Sequence, residues 1–183
     1  MRQRLFILIG LGALALVLAA VAVAGTVTAT ATVTGAGSLS LSNGATATVP
    51  GVTLDGTDQT VAYTVPLTMN DLRGSGAGWN LTMTSTTFTN GTQTLATTAS
   101  SIASASSSCT AGGTCTNPTN SITYPLTVPA AATAPTAVKV FNAAANTGMG
   151  RFTVTPSINI SIPGNSYAGT YNSTLTIAAV TGP

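Results

Sequence analysis

One short segment, DLRGSGAGWNLT at residues 71–82, constrains the fold more than any other part of the chain. It contains the only tryptophan, Trp79, and two of the few charged residues, Asp71 and Arg73. Three glycines occupy alternate positions between them: Gly74, Gly76 and Gly78. Glycine permits tight turns and positive φ, where a Cβ would clash. Trp79 and Leu81 then alternate with polar residues, which predicts a glycine-built loop leading into a strand with one buried face.

Alternation of apolar and polar residues recurs along most of the chain, and no stretch beyond residue 24 has a helical period. Threonine and valine are abundant and glutamate is absent, a composition that favours strands over helices. Pro66 and Pro156 interrupt two of the runs, which indicates edges, bends or bulges there. Predicted strands cover residues 61–69, 79–83, 122–128, 137–141, 152–162 and 171–180. We therefore predict an antiparallel β-sandwich, Ig-like or jelly-roll-like.

The first 24 residues have the pattern of a secretory signal peptide. Arg2 and Arg4 precede an apolar run, and small residues lead up to a predicted cleavage between Ala24 and Gly25. The apolar run reaches the length of a membrane-spanning helix, so the alternative is that this segment is retained as an anchor. The chain is expected to contact a membrane only if the segment is retained. The prediction is an extracellular protein with one folded domain at residues 25–183.

Charge and residue inventory exclude several function classes. Beyond Arg4, three basic residues balance three aspartates, so the mature chain is formally neutral. A neutral chain cannot neutralise a row of phosphates, which excludes nucleic acid as a partner. The chain has no histidine and no glutamate, and no serine lies in a nucleophile motif, so we predict no enzyme activity, no cofactor and no metal site.

Cys109 and Cys115 are the only cysteines, and they flank the short sequence TAGGT. In an exported chain the expected state is a disulfide that closes this loop, with a modest effect on global stability. Residues 96–118 are rich in serine, threonine, alanine and glycine and lack a periodic apolar face. We interpret them as a long surface loop that carries the disulfide.

Residues 71–81 resemble the first signature of WxL domains, which occur in bacterial cell-surface proteins. The matching residues are Asp71, Arg73, Gly74, Gly76, Gly78, Trp79 and Leu81. The closing segment AGTYNSTLTIAAVTGP is similar to the C-terminal part of these domains. Their second signature often has a tryptophan near this position, where the present chain has Ile177. The resemblance implies a non-enzymatic, structural or adhesive protein associated with the cell envelope or a cell-wall polymer.

Several residues allow both a structural and a functional interpretation. Trp79 at an inward strand position indicates core packing rather than ligand binding, and Asp71 and Arg73 are predicted to pair and hold the loop. The sequence Asp55-Gly56-Thr57-Asp58 is typical of a turn, with a calcium site as the weaker alternative. An isopeptide bond at Lys139 and glycosylation of four Asn-X-Ser/Thr sites are left open.

The segment GTVTATATVTG offers a second functional hypothesis. Once a signal is removed, an alternating strand at residues 26–33 stands at a free terminus. Such a strand can add to the sheet edge of another copy and build an extracellular filament with copies of itself as partners. The candidate donor residues are Val27, Ala29, Ala31 and Val33. The alternative is that residues 26–33 form the first strand of their own sandwich.

Overall fold

The computed structural model describes residues 28–35 and 37–183, and within these ranges every regular element is a strand. The predicted signal, Ala24, Gly25 and Val27 lie outside the described residues. The described ranges contain no helix that could cross a membrane. The described part of the chain contains ten strands: β1 (Leu39–Asn43), β2 (Gln59–Thr64), β3 (Leu67–Asp71), β4 (Trp79–Thr86), β5 (Ser100–Cys109), β6 (Leu126–Thr127), β7 (Ala130–Ala131), β8 (Val138–Ala143), β9 (Gly150–Ile162) and β10 (Leu175–Thr181).

The strands form two packed sheets, which confirms the predicted β-sandwich. The first has the order β1-β3-β9-β5-β6, with β2 also paired to β9, and the second has the order β10-β4-β7, with β8 also paired to β4. Every strand pair is antiparallel except β4 with β7. Each sheet directs alternate side chains at the other, as the period-two pattern requires.

The long strand β9 organises the first sheet, and two prolines mark the place where its ladder is interrupted. Both β2 and β3 pair with β9 in one unbroken register, from Gln59 opposite Ile162 to Asp71 opposite Gly150. Val65 donates its backbone N–H to the Pro156 carbonyl at 3.1 Å. Pro156 has no N–H to return, so the reciprocal bond of an antiparallel pair is missing and the strand divides at Val65-Pro66.

The core lies between the sheets and consists of inward residues from both. In β9, alternate residues from Phe152 to Ile160 are buried, and in β4 the side chains of Leu81 and Met83 are completely buried. A second, smaller cluster packs Leu95 and Ala99 against Ile160. The largest completely buried side chain is Trp79, so the tryptophan of the glycine-rich segment is part of this core, as predicted.

The predicted loop at residues 96–118 is wrong over much of its length. Ser100–Cys109 forms β5, which pairs with β9 along its whole length, apart from a register shift between Ile102 and Ser104. Ile102 is the one large apolar side chain that β5 buries. Serine and alanine have low strand propensity, but pairing with a central strand overrides that propensity. The residues after Cys109, including the cysteine loop, do lie outside long strands.

The predicted strand at residues 26–33 also requires correction within its described part. Residues 28–33 carry no strand assignment and are exposed; Val33 is 94 % exposed. They fall in a separate unit from Thr34–Pro183, which forms the sandwich. A strand exists only where a neighbour completes its ladder, and the first strand of the sandwich is instead β1, which pairs with β3.

Candidate functional site

The glycine-rich segment forms a loop between β3 and β4, which we call the motif loop (residues 71–79). Its centre is an ion pair that confirms the predicted pairing. Arg73 donates from Nε and Nη2 to the two carboxylate oxygens of Asp71, each at 2.9 Å. The Asp71 side chain is 1 % exposed and that of Arg73 is 14 % exposed. The hydrogen bonds from Arg73 lower the pKa of Asp71 against the opposing effect of its burial, and the pairing raises the pKa of Arg73.

Positive φ angles at alternate glycines give the motif loop its path. Gly74, Gly76 and Gly78 have φ of 65°, 64° and 70°. A Cβ on Gly78 would lie 2.5 Å from the carbonyl oxygen of Ala143, so a side chain there has no room. The loop therefore lies directly against the β8–β9 connection, where Asn146 donates its backbone N–H to the Gly76 carbonyl at 2.8 Å. The sequence predicted the turn, whereas this long-range contact had no local signal.

Trp79 fastens the start of β4 to the same connection. Its indole Nε1 donates to the Gly148 carbonyl at 2.8 Å, and the bond is buried. Its ring stacks with Phe141 at a centroid distance of 5.8 Å and meets Phe152 at 6.4 Å. These contacts satisfy the polar atom of a large aromatic and confirm a packing role. Gly148 has φ of 68° and approaches the indole so closely that a Cβ would lie 2.7 Å from Nε1.

Arg73 also connects the motif loop to the end of β10. Its Nη1 donates to the Thr181 hydroxyl at 3.0 Å, and its Nη2 donates to the Gly78 carbonyl at 2.8 Å. Asn80 donates its side-chain amide to the Gly182 carbonyl at 2.8 Å. One partly buried guanidinium thus joins residues more than a hundred positions apart in the chain, which sequence reasoning did not find.

The disulfide loop lies at the same end of the sandwich. Cys109 and Cys115 are bonded, as predicted. Thr116 and Met149 form an isolated bridge, so the chain after the disulfide is tied to the β8–β9 connection. We call the assembly of motif loop, disulfide loop and β8–β9 connection the motif end. A pocket of about 230 Å³ opens there, lined by Leu72, Thr110, Ala111, Gly112, Gly113, Thr114, Gly150 and Arg151.

The remaining candidate residues lie elsewhere and have structural roles. Asp55 accepts hydrogen bonds from the backbone N–H and hydroxyl of Thr57 at 2.9 and 2.7 Å, which confirms the turn interpretation. These bonds lower the pKa of Asp55. Lys139 is exposed on β8, and its Nζ donates to the Pro183 carbonyl at 2.8 Å rather than contacting an asparagine side chain. Neither residue belongs to the motif end.

The fold and the motif end together define a class: a disulfide-bonded β-sandwich whose signature residues close one end of the domain. Comparison with known families then identifies the chain. The family model described as WxL domain surface cell wall-binding matches residues 35–179, and the chain belongs to this family. It is a cell-wall-binding protein of the extracellular cell surface, from a family of non-catalytic domains. No curated protein and no solved structure matches the chain.

Proposed function

We propose that this chain is a non-enzymatic structural or adhesive protein, held to the envelope by non-covalent contacts of the sandwich itself. The observation that supports this proposal is the pocket at the motif end. Leu72 of the motif loop, residues 110–114 of the disulfide loop and Arg151 line it together, although they come from separate parts of the sequence. Recognition sites are commonly built from loops that a rigid scaffold holds together at one end of a sandwich.

The chemistry of the pocket suits an anionic group of a cell-wall polymer. Among the described residues the pair of Asp71 and Arg73 is the only salt bridge, so the exposed Arg151 keeps a charge that no carboxylate compensates. A guanidinium binds carboxylate or phosphate through two parallel hydrogen bonds. Gly112 and Gly113 border the same pocket, and a Cβ built on either would meet nothing within 4 Å, so a polymer can approach their backbone.

Binding to purified cell walls tests this assignment. The Arg151→Gln variant should bind about ten- to a hundredfold more weakly, since one charge-assisted hydrogen bond contributes about 1.5–3 kcal/mol. Wild-type binding should also weaken as salt concentration rises. The Lys139→Gln variant is the matched control because it removes an equal charge from an exposed site on β8. Equal binding by both variants would place the wall contact elsewhere on the domain.

Export with removal of residues 1–24 remains part of the proposal. Intact mass of the protein recovered from cells distinguishes a chain that begins at Gly25 from one that retains its apolar N-terminus. Retention would replace non-covalent attachment through the domain with a membrane anchor.

A filament subunit is the second candidate function, and one observation favours it. Residues 28–33 are exposed and belong to no strand, although their sequence, TATATV, has the alternation and composition of one. A segment of this kind can complete its ladder on another copy, and head-to-tail addition that does not close produces fibres. Negative-stain electron microscopy of the exported protein tests this function: regular fibres support it, and monodisperse single particles contradict it.

A further inference from the structure

The inward face of β4 changes from apolar to polar along the strand. Trp79, Leu81 and Met83 are completely buried and belong to the main core. Ser85 is the next residue on the same face, because successive side chains of a strand alternate between its two faces. It is 2 % exposed, and its hydroxyl has no hydrogen-bond partner among the described residues. Buried hydroxyls are normally paired, so an unpaired one indicates that a partner binds there.

A cavity of about 620 Å³ lies beside Ser85, between the two sheets. Its walls include Tyr63 and Ser100 from the first sheet, and Leu175 beside Ser85 in the second. Ser85 is six residues along β4 from Trp79, a distance of about 20 Å in an extended strand. The cavity is therefore separate from the motif end, and its size is within the range of about 300–1,000 Å³ that is usual for small-molecule sites.

Hydrogen bonds to the end of β4 hold the rim of the cavity in place. Thr89 and Asn172 exchange backbone hydrogen bonds at 3.0 and 2.8 Å. Ser173 donates its hydroxyl to the Thr86 carbonyl at 2.6 Å. These bonds fix the chain that precedes β10, so the rim residues that line the cavity are held by a preformed support, as a binding site requires.

The lining combines aromatic rings with neutral polar groups. Tyr63, Phe88 and Tyr171 all line the cavity and pack against the smaller core cluster. Burial raises the pKa of Tyr63, so its hydroxyl stays neutral and can both donate and accept a hydrogen bond. None of the described residues that line the cavity is charged. Side chains with hydroxyl or amide groups make up its polar part and include Asn43, Thr46, Thr64, Ser85, Ser100 and Asn172.

This combination restricts the chemistry of a ligand. A charged group would lose its hydration and find no ion partner, and an acyl chain would leave the hydroxyl and amide groups unpaired. A sugar ring carries hydroxyl groups around its edge and C–H groups on its faces. It therefore offers hydrogen bonds to the polar side chains and apolar contact to the aromatic rings.

We propose that this cavity binds an uncharged sugar unit, with the Ser85 hydroxyl bonded to one of its hydroxyl groups and an aromatic ring of the lining against its C–H face. This site goes beyond the anionic contact proposed at the motif end and does not depend on it. The two pockets share no lining residue, since the motif end adjoins the start of β4 and the cavity adjoins its other end.

Isothermal titration calorimetry of the exported protein tests the proposal with the neutral trisaccharides of glucose, galactose, mannose and N-acetylglucosamine. At least one should bind, and trigalacturonate, whose rings carry carboxylates, should not displace it. Ser85→Ala should weaken binding about three- to tenfold because one hydrogen bond between neutral groups is lost. Ser106→Ala is the matched control, since it removes an exposed hydroxyl on β5 and should bind like the wild type.

A stability measurement separates binding from a structural role of Ser85. Its hydroxyl has no partner within the described chain, so Ser85→Ala should leave the urea midpoint of the ligand-free protein unchanged or raised. A lowered midpoint would show that the hydroxyl is already paired in the free protein, as by a bound water only, and would overturn the proposal. A second variant, Tyr171→Leu, removes an aromatic face at the rim and should weaken binding severalfold.

The remaining outcomes each count against a sugar site in this cavity. Failure of all four trisaccharides to bind overturns it, and binding of capped pentaalanine in their place assigns the cavity to a neutral peptide. Binding that both Ser85→Ala and Tyr171→Leu leave unchanged locates the sugar elsewhere on the domain. Arg151→Gln should bind the trisaccharides like the wild type, so failure of this proposal and failure of the motif-end contact are distinguishable.

Discussion

Replacing Arg73 with glutamine is expected to destabilise the domain by about 3–5 kcal/mol at pH 7, the usual cost of removing one partner of a buried ion pair. The Asp71 carboxylate is 1 % exposed and loses two donors at 2.9 Å. The backbone N–H of residue 73, at 3.2 Å, is then the only donor left to a carboxylate that is almost completely shielded from water, so its charge is poorly compensated. Urea unfolding followed by far-UV circular dichroism measures the difference in free energy of unfolding.

The same substitution should reverse the dependence of stability on pH. In the wild type the pKa of Asp71 is depressed below the unfolded value of about 3.9, so the stability that this group contributes is present above pH 3.9 and lost as pH falls through the folded pKa. Without Arg73, burial is the largest remaining influence and raises the pKa of Asp71 above the unfolded value. Stability of the variant should therefore increase as pH falls from 7 toward 4.

The window from about pH 5 to 7 isolates this effect, because the chain has neither histidine nor glutamate and Asp55, whose pKa is lowered, affects stability mainly below that range. Arg151→Gln is the control, since it removes an exposed arginine and should leave stability within about 0.5 kcal/mol of the wild type. The double variant Asp71→Asn with Arg73→Gln should recover part of the loss and show no pH dependence in this window. A single variant that loses less than about 1 kcal/mol, or whose stability is flat with pH, would refute a buried and uncompensated carboxylate.

Two further substitutions test the packing of the motif end. Gly148→Ala should lower the free energy of unfolding by about 2–5 kcal/mol, because the new Cβ would clash with Ala143 and Trp79 and the residue has a positive φ. Gly113→Ala is the control and should be neutral, since a Cβ there meets nothing within 4 Å. Equal stabilities of the two variants in urea unfolding would contradict the close contact at Gly148. Replacing Cys109 and Cys115 with serine should lower the free energy of unfolding by only about 2 kcal/mol because the closed loop is short; loss of folding altogether would show that the disulfide does more than restrict the unfolded chain.

Local patterns identified the features that depend on neighbours in sequence. Alternation after the glycines placed Trp79 in the core, and the spacing of Asp71 and Arg73 predicted their pairing. Both follow because residues a few positions apart on a turn or strand have nearly fixed relative geometry. The contacts of Trp79 with Gly148 and of Arg73 with Thr181 are set by the folded sheets, and no local signal in the sequence encodes them.

Composition misled where neighbouring strands decide the structure. Ser100–Cys109 has the composition of a loop but lies beside β9, whose ladder and inward face give even serine and alanine a place in a sheet. Residues 28–33 have the composition of a strand but no partner in the described chain. Whether a segment forms a strand therefore depends on a neighbouring strand that its own sequence does not identify. The wrong predictions for residues 96–118 and 26–33 have this same cause.

Trp79 is the only tryptophan, its indole is completely buried, and its Nε1 hydrogen-bonds to the β8–β9 connection at the motif end. The fluorescence of the whole chain excited at the red edge of its absorption therefore arises from one site, inaccessible to aqueous quenchers while that end is folded. Loss of the Gly148 contact with entry of water would shift its emission to longer wavelength. The protein thus contains an intrinsic optical probe of its signature loop, usable on intact cell walls without any added label.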